Sequence, residues 1–270
     1  MCIRDRYGEE ELDFMVILLG ITAGFVGSIL GIGGGSIMTP ILVALGYDIK
    51  LVVPASLVAI VGTSIGGLDV YLQEGYVDLN LALFLETSTV VGAIIAATIT
   101  LLLPSRLLEV LLGIILLIIA FDMILAGIRI RHSKMRNLKS LTEMGDWKCQ
   151  EKKVNLIVGW LASSIAGAMS AFTGIGGGVL KVPIMNRIIG VPIKVATATS
   201  KLMVGITAAA GAISFVRLNA LDYNLALELL LGTVIGGLLG SHTGIKVGSR
   251  LIMLLFSCFM VLLSIILLFR

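Results

Sequence analysis

Of the chain's 270 residues, 57% are hydrophobic and only 14% are charged, against roughly 45–50% and 25% in soluble domains. With a mean hydropathy of +1.06, a water-soluble fold would leave whole apolar helices facing solvent, so bilayer lipid is the medium this composition demands. The net charge of +3 is small, the basic residues gather in one segment without interleaved aromatics, and Cys2, Cys149 and Cys258 lie far apart; nucleic-acid binding, a disulfide framework and a metal site are therefore not indicated.

In chain order, apolar length predicts helices over 14–30, 36–47, 51–72, 79–103 and 106–128, and then over 154–172, 178–190, 195–216, 223–246 and 250–269. Six of these ten reach the roughly 20 residues that cross a bilayer. Segments 36–47 and 178–190 are too short to cross about 30 Å of hydrocarbon at about 1.5 Å per residue. Each follows a glycine run, and both read as halves of broken or re-entrant helices. An acidic stretch, 9–13, leads directly into the first apolar segment, so no cleavable signal peptide is expected.

The chain repeats itself. Gly24, Gly31, Ile32, Gly33, Gly34, Gly35 and Pro40 recur 143 positions later as Gly167, Gly174, Ile175, Gly176, Gly177, Gly178 and Pro183. One inserted residue moves the offset to 144, after which Lys50, Ser56, Thr63, Asp78, Asn80, Gly92, Ser105 and Arg106 match Lys194, Ser200, Thr207, Asp222, Asn224, Gly236, Ser249 and Arg250. A register held over that span divides the chain into a first repeat, 14–128, a linker, 129–153, and a second repeat, 154–269. The linker carries eight Lys or Arg and three acids, which places it in the cytoplasm by the positive-inside rule. An odd number of crossings per half adds Lys181, Arg187, Lys194, Lys246 and Arg250 to that side and leaves Lys50, Arg106 and Arg217 outside. An even number gives a poorer split, so inverted halves are expected.

The doubled Gly-Ile-Gly-Gly-Gly is the sharpest local motif. Helix-hostile sequence at membrane depth must face protein or a water-filled cavity, because unsatisfied backbone groups are costly in lipid. Paired broken helices are how secondary transporters build a midplane site, with half-helix N-termini offering N–H groups to an anion. Spaced small residues, Gly232, Gly236, Gly240 and Gly244 with their counterparts Ser88, Gly92, Ala96 and Thr100, read instead as packing stripes. Ionisable residues inside spans are functional candidates, and Lys201 stands first: it can hold an anion as a point charge or carry a proton, or else pair with Glu228 or Glu86. Glu86, Asp122, Glu228 and His242 share that ambiguity, while Lys181 can draw anions in or anchor the chain at the interface. A Rossmann fingerprint fails on spacing, since Ser36 and Val179 stand where its last glycine belongs. No HExxH constellation is present, and the two histidines, His132 and His242, lie in different halves, so an enzyme is not expected.

Gly24-Phe-Val-Gly27-Ser-Ile-Leu-Gly31-Ile-Gly-Gly-Gly35 with Pro40, and Gly167-Ala-Met-Ser-Ala-Phe-Thr-Gly174-Ile-Gly-Gly-Gly178 with Pro183, resemble the two signature motifs of the TauE/SafE family of sulfite exporters. Ala198-Thr199-Ser200 resembles the Ala-Thr-Ser that follows the second motif there. The chain departs at Ser170, where the first motif has Gly27, and at Lys201, where an apolar residue is usual. The resemblance implies an inner-membrane permease for sulfite, sulfonates or related sulfur oxyanions, driven by the proton gradient; a small-anion channel without proton coupling is the alternative. The expected architecture is an all-α polytopic membrane protein of two inverted repeats, each with three full spans plus a glycine-broken helix pair. The expected substrate site comprises Gly33, Gly34, Gly35, Ser56, Gly176, Gly177, Gly178, Thr199, Ser200 and Lys201. No cofactor is expected; the partners are a small inorganic or organosulfur anion, protons, membrane lipid and, compatibly with the sequence, a second copy of the chain.

Overall fold

A computed structural model describes residues 9–30, 33–73, 77–133, 153–244 and 249–269, and all regular structure among them is helical. The first half comprises α1 (Glu9–Leu30), α2 (Gly35–Ala44), α3 (Ile49–Gln73), α4 (Leu79–Leu102) and α5 (Ser105–Ser133). The second comprises α6 (Lys153–Thr173), α7 (Gly178–Pro183), α8 (Ile193–Arg217), α9 (Tyr223–Gly244) and α10 (Ser249–Phe269). The predicted segments thus appear in order, and α5 runs on into the basic stretch as far as Ser133. Residues 134–152 of the expected linker, Gly31, Ile32 and Lys246 lie outside the described residues, as do the side chains of Lys194, His242 and Arg250.

The second short helix differs from its expected form. It is α-helical for six residues and then π-helical over Ile184–Ile189. Pro183, at the junction, has no N–H to give to the carbonyl four residues back and its ring crowds that turn, so the ladder widens. Gly190, at φ 91°, closes the element, and Val191 N–H bonds back to Met185 O at 2.9 Å.

Among the described residues, six stretches are long and apolar enough to cross a membrane: Ile49–Gly66, Leu79–Leu102, Ser105–Leu125, Leu156–Thr173, Val195–Arg217 and Tyr223–Ser241. Side-chain size is sorted as lipid solvation requires. In α4 the buried face carries Ala82, Gly92, Ala93, Ala96 and Ala97, whereas Phe84, Val91, Ile94, Ile95 and Leu102 point outward. Small residues permit close helix approach, and bulky apolar ones face acyl chains at no cost.

The halves interlock. α1 packs chiefly on α9, and its counterpart α6 packs on α4, so the first helix of each half lies against the fourth of the other. A Cβ at Gly24 would sit 2.7 Å from Thr233 O, and a Cβ at Gly167, its counterpart, would collide with Thr89 O, the counterpart carbonyl. Likewise Gly236 lies against Ile21 O and Gly92 against Ser164 O. The small-residue stripes of α4 and α9 are the seams of this exchange. Counterpart helices also meet directly. Along α5 and α10, Arg106 donates to Leu267 O and Leu268 O while Ser264 donates to Gly113 O, an antiparallel order. Along α3 and α8, Gly205 faces Ser64 and Gly211 faces Leu57, which is again antiparallel.

Candidate functional site

Both glycine runs reverse the chain, and the two reversals meet. Gly34 comes back beside Ala23, and Gly177 beside Ala166. Gly33 and Gly176 are counterparts with matching left-handed backbones, φ +83° and +85°, a conformation that only glycine adopts without strain. A Cβ at Gly33 would lie 3.5 Å from Val204 and 3.6 Å from Ile60, and one at Gly176 3.0 Å from Ile60 and 3.1 Å from Val204. Ile60 and Val204 are themselves counterparts, 144 positions apart, so each of the two glycines faces both members of one counterpart pair. At the same place Gly35 abuts Gly174 O, which also accepts a hydrogen bond from Thr39 Oγ1 at 3.3 Å.

Beside this junction lies a cavity of ≈ 20 Å³ lined by Gly27, Ser28, Gly33, Thr63, Ser64, Lys201 and Val204. It has room for at least one water molecule. Lys201 is 8% exposed and its Nζ donates to Ser28 O at 3.0 Å. Thr63 Oγ1 donates to Ile60 O at 2.8 Å, and the buried Ser28 hydroxyl has no acceptor among the described residues. The wall therefore combines a cation, hydroxyl groups and the backbone leading into α2. The first-turn N–H groups of that helix have no carbonyl four residues back within it, and they carry its positive dipole end.

The expected site residues divide into groups. Gly33 and Lys201 line the cavity. Gly34, Gly35, Gly176, Gly177 and Gly178 form the two turns, and Ser200 Oγ holds the second by donating to Gly178 O at 3.4 Å. Ser56 is fully buried, with its hydroxyl unpartnered among the described residues. Thr199 lies elsewhere: its hydroxyl accepts the Asp78 N–H at 3.0 Å, at the start of α4.

Lys181 is the residue that sequence reasoning placed least well. It is neither an interfacial anchor nor open to passing anions but fully buried, with Nζ 3.0 Å from Glu86 Oε2 and 3.1 Å from Met203 O. Thr207 Oγ1 completes the cluster, accepting from Lys181 and contacting Glu86 Oε1. Glu86 thus belongs to Lys181 and not to Lys201. Asp122 pairs with Arg187 at 2.9 Å, both half-exposed, where an ion pair contributes little. A signal for the buried pair existed in the repeat: Lys181 and Glu86 stand where the other half has Met38 and Leu230. Its pairing, however, depends on the exchange of helices between halves.

A family model described as sulfite exporter TauE/SafE matches residues 16–267. The chain belongs to the TauE/SafE family. Among relatives of this family member, a probable membrane transporter protein of Bacillus subtilis, YunE, is 26% identical over 93% of the chain and 95% of its own length. A probable membrane transporter protein of Xylella fastidiosa is 26% identical over 84% of each. YjnA of Bacillus subtilis, also named a probable membrane transporter protein, is 24% identical over 87% of the chain and 91% of its own length. No solved structure matches the chain. Family, relatives and the six apolar spans together identify a multi-pass membrane transporter.

Proposed function

We propose that this TauE/SafE protein is a secondary transporter of small sulfur oxyanions, sulfite or sulfonates, working in the inner membrane and drawing on the proton gradient. The observation that carries the reading is the cavity at the meeting point of the glycine turns, with Lys201 in its wall. An oxyanion leaving water must recover its hydrogen bonds from donors already in place. A buried ammonium supplies charge, Ser28, Thr63 and Ser64 supply hydroxyls, and the turn into α2 supplies backbone amides. The substrate class follows the family's name; lysine, a compact point charge, suits a small anion without dictating bidentate geometry.

The proposed topology has two inverted units, 14–128 and 154–269, with the basic segment between them in the cytoplasm. The antiparallel meeting of α3 with α8 and of α5 with α10 supports inversion, since a rotation about the membrane normal keeps counterpart helices parallel. The cavity is small, and in this reading passage of the anion from one side to the other requires one of the turns to move. Uptake of labelled sulfite and of an alkyl sulfonate into proteoliposomes, with and without a pH gradient, tests the proposal. Saturable uptake stimulated by the gradient is expected. Flux that follows membrane potential alone would establish a channel, and no flux of either anion would refute the substrate class.

A further inference from the structure

The Lys181–Glu86 pair is buried in a place where the fold does not need it. Transferring two charges out of water is costly, and a well-packed apolar pair usually serves stability as well or better. This molecule contains that apolar alternative. The counterparts of Lys181, Glu86 and Thr207 are Met38, Leu230 and Thr63. Met38 is fully buried next to the first glycine turn, as Lys181 is next to the second, and Leu230 packs on α3 at Gly62, as Glu86 packs on α8 at Thr207. The same architecture therefore closes around Met and Leu in one half and around an ammonium and a carboxylate in the other.

The pair also sits against the transport site. One stretch of α8 separates the two: Lys201 and Val204 face the cavity, whereas Met203 O and Thr207 Oγ1 hold Lys181. Lys181 is carried by the short helix directly after Gly178, so any movement of the second turn moves its ammonium. The charged surroundings are simple. Lys181 is the charge acting on Glu86 from α7; α8 presents Thr207, and α6 presents Trp160 O and Ser164 along the neighbouring turns of α4. Lys201, though on α8, reaches α1 through Ser28 O.

We propose that Glu86 is the proton-carrying group of this transporter and that its protonation releases Lys181 to attract the anion. This rests on the reading of the protein as an anion transporter. In the conformation of this structure the carboxylate and the ammonium neutralise each other. When the second turn opens, hydronium gives a proton to a Glu86 carboxylate oxygen, forming an O–H bond and leaving water. The ammonium keeps its three protons and loses its counter-charge, so its uncompensated charge adds to that of Lys201 in attracting the oxyanion to the cavity across α8. When the anion leaves, Glu86 returns the proton to water and re-pairs. One proton and one negative charge move together.

The experiment has two arms. In the first, infrared difference spectra of the purified protein in nanodiscs are recorded across an acid titration, with no substrate present. A protonated-carboxyl band that appears in the wild type and is absent in Glu86→Gln is expected; an unchanged band in Glu86→Gln overturns the assignment, whatever the substrate proves to be. In the second, labelled sulfite is followed in proteoliposomes. Of sulfite exchange at equal pH on both sides and its stimulation by a pH gradient, Glu86→Gln should lose the stimulation, so that whatever exchange remains no longer responds to the gradient. Lys181→Met with Glu86→Leu, which installs the first half's residues, should remain folded and lose both activities. Gradient-stimulated uptake surviving in the double variant would show a merely structural pair and overturn the proposal. Absence of sulfite flux in the wild type would refute the substrate reading, leaving the infrared arm to decide Glu86.

Discussion

The two sides of the junction between the glycine turns solve one packing problem with opposite chemistry. On the Gly33 side, Lys201, Ser28, Thr63 and Ser64 leave a small polar cavity. At the counterpart positions on the Gly176 side stand Leu57, Ala171, Thr207 and Ala208. Here apolar packing meets the junction, with Leu57, Ala171 and Ala208 buried, and the charge lies one layer back, in the Lys181–Glu86 pair. The backbone frame is shared, down to the matched left-handed Gly33 and Gly176, so the chemistry of each side resides in a few substitutions upon it. Repeat symmetry supplies the scaffold, and departures from it mark where polar work is done.

Several changes would break or sharpen this contrast. The largest effect is expected from removing one partner of the buried pair. Lys181→Met or Glu86→Leu alone strands a charge and should cost about 3–5 kcal/mol of stability, whereas the two together should recover most of the loss. Thermal unfolding of the detergent-purified single and double variants measures this, and additive losses would contradict the comparison.

The turns should differ next. Gly177 has φ +68°, and a Cβ there would meet Ala166 O at 2.8 Å, whereas Gly34 has φ −67° and a Cβ there would find Ala23 O and Met38 Cε at 3.2 Å. Gly177→Ala is therefore expected to lower stability by about 1–3 kcal/mol, and Gly34→Ala by less than about 1 kcal/mol, again by thermal unfolding. Equal losses would mean that the halves are equally strained.

The threonines should separate function from stability. Thr207→Val removes a hydroxyl that serves two charged groups and should cost about 1.5–3 kcal/mol. Thr63→Val removes one that serves its own helix and should cost less than about 1 kcal/mol, yet weaken sulfite binding by calorimetry. Unchanged affinity in Thr63→Val would remove that residue from the cavity's function.

Much of this was legible in the sequence. Apolar length placed the helices to within a few residues, and the 143-residue offset exposed the paired glycine turns, because lipid solvation and the needs of reversed backbone are local constraints. The π-helical turn after Pro183 was less legible, since proline announces a broken ladder without saying how it re-forms. The partner of Glu86 was hidden for a different reason. Choosing among Lys181 and Lys201 requires knowing that α4 packs on α6 and α8, and that exchange is fixed by complementary small-residue seams far apart in the chain. Thr199 shows the same limit: it belongs to the motif, but the start of the next helix claims its hydroxyl.

The central claim is that the Lys201 cavity takes the anion. Isothermal titration of the purified transporter with sulfite, comparing wild type with Lys201→Ala at equal pH and salt, tests it most directly. A loss of at least about tenfold in affinity, some 1.4 kcal/mol, is predicted, with Lys201→Arg restoring only part of it because a planar fork does not replace a compact charge. Undiminished sulfite affinity in a folded Lys201→Ala variant would contradict the account.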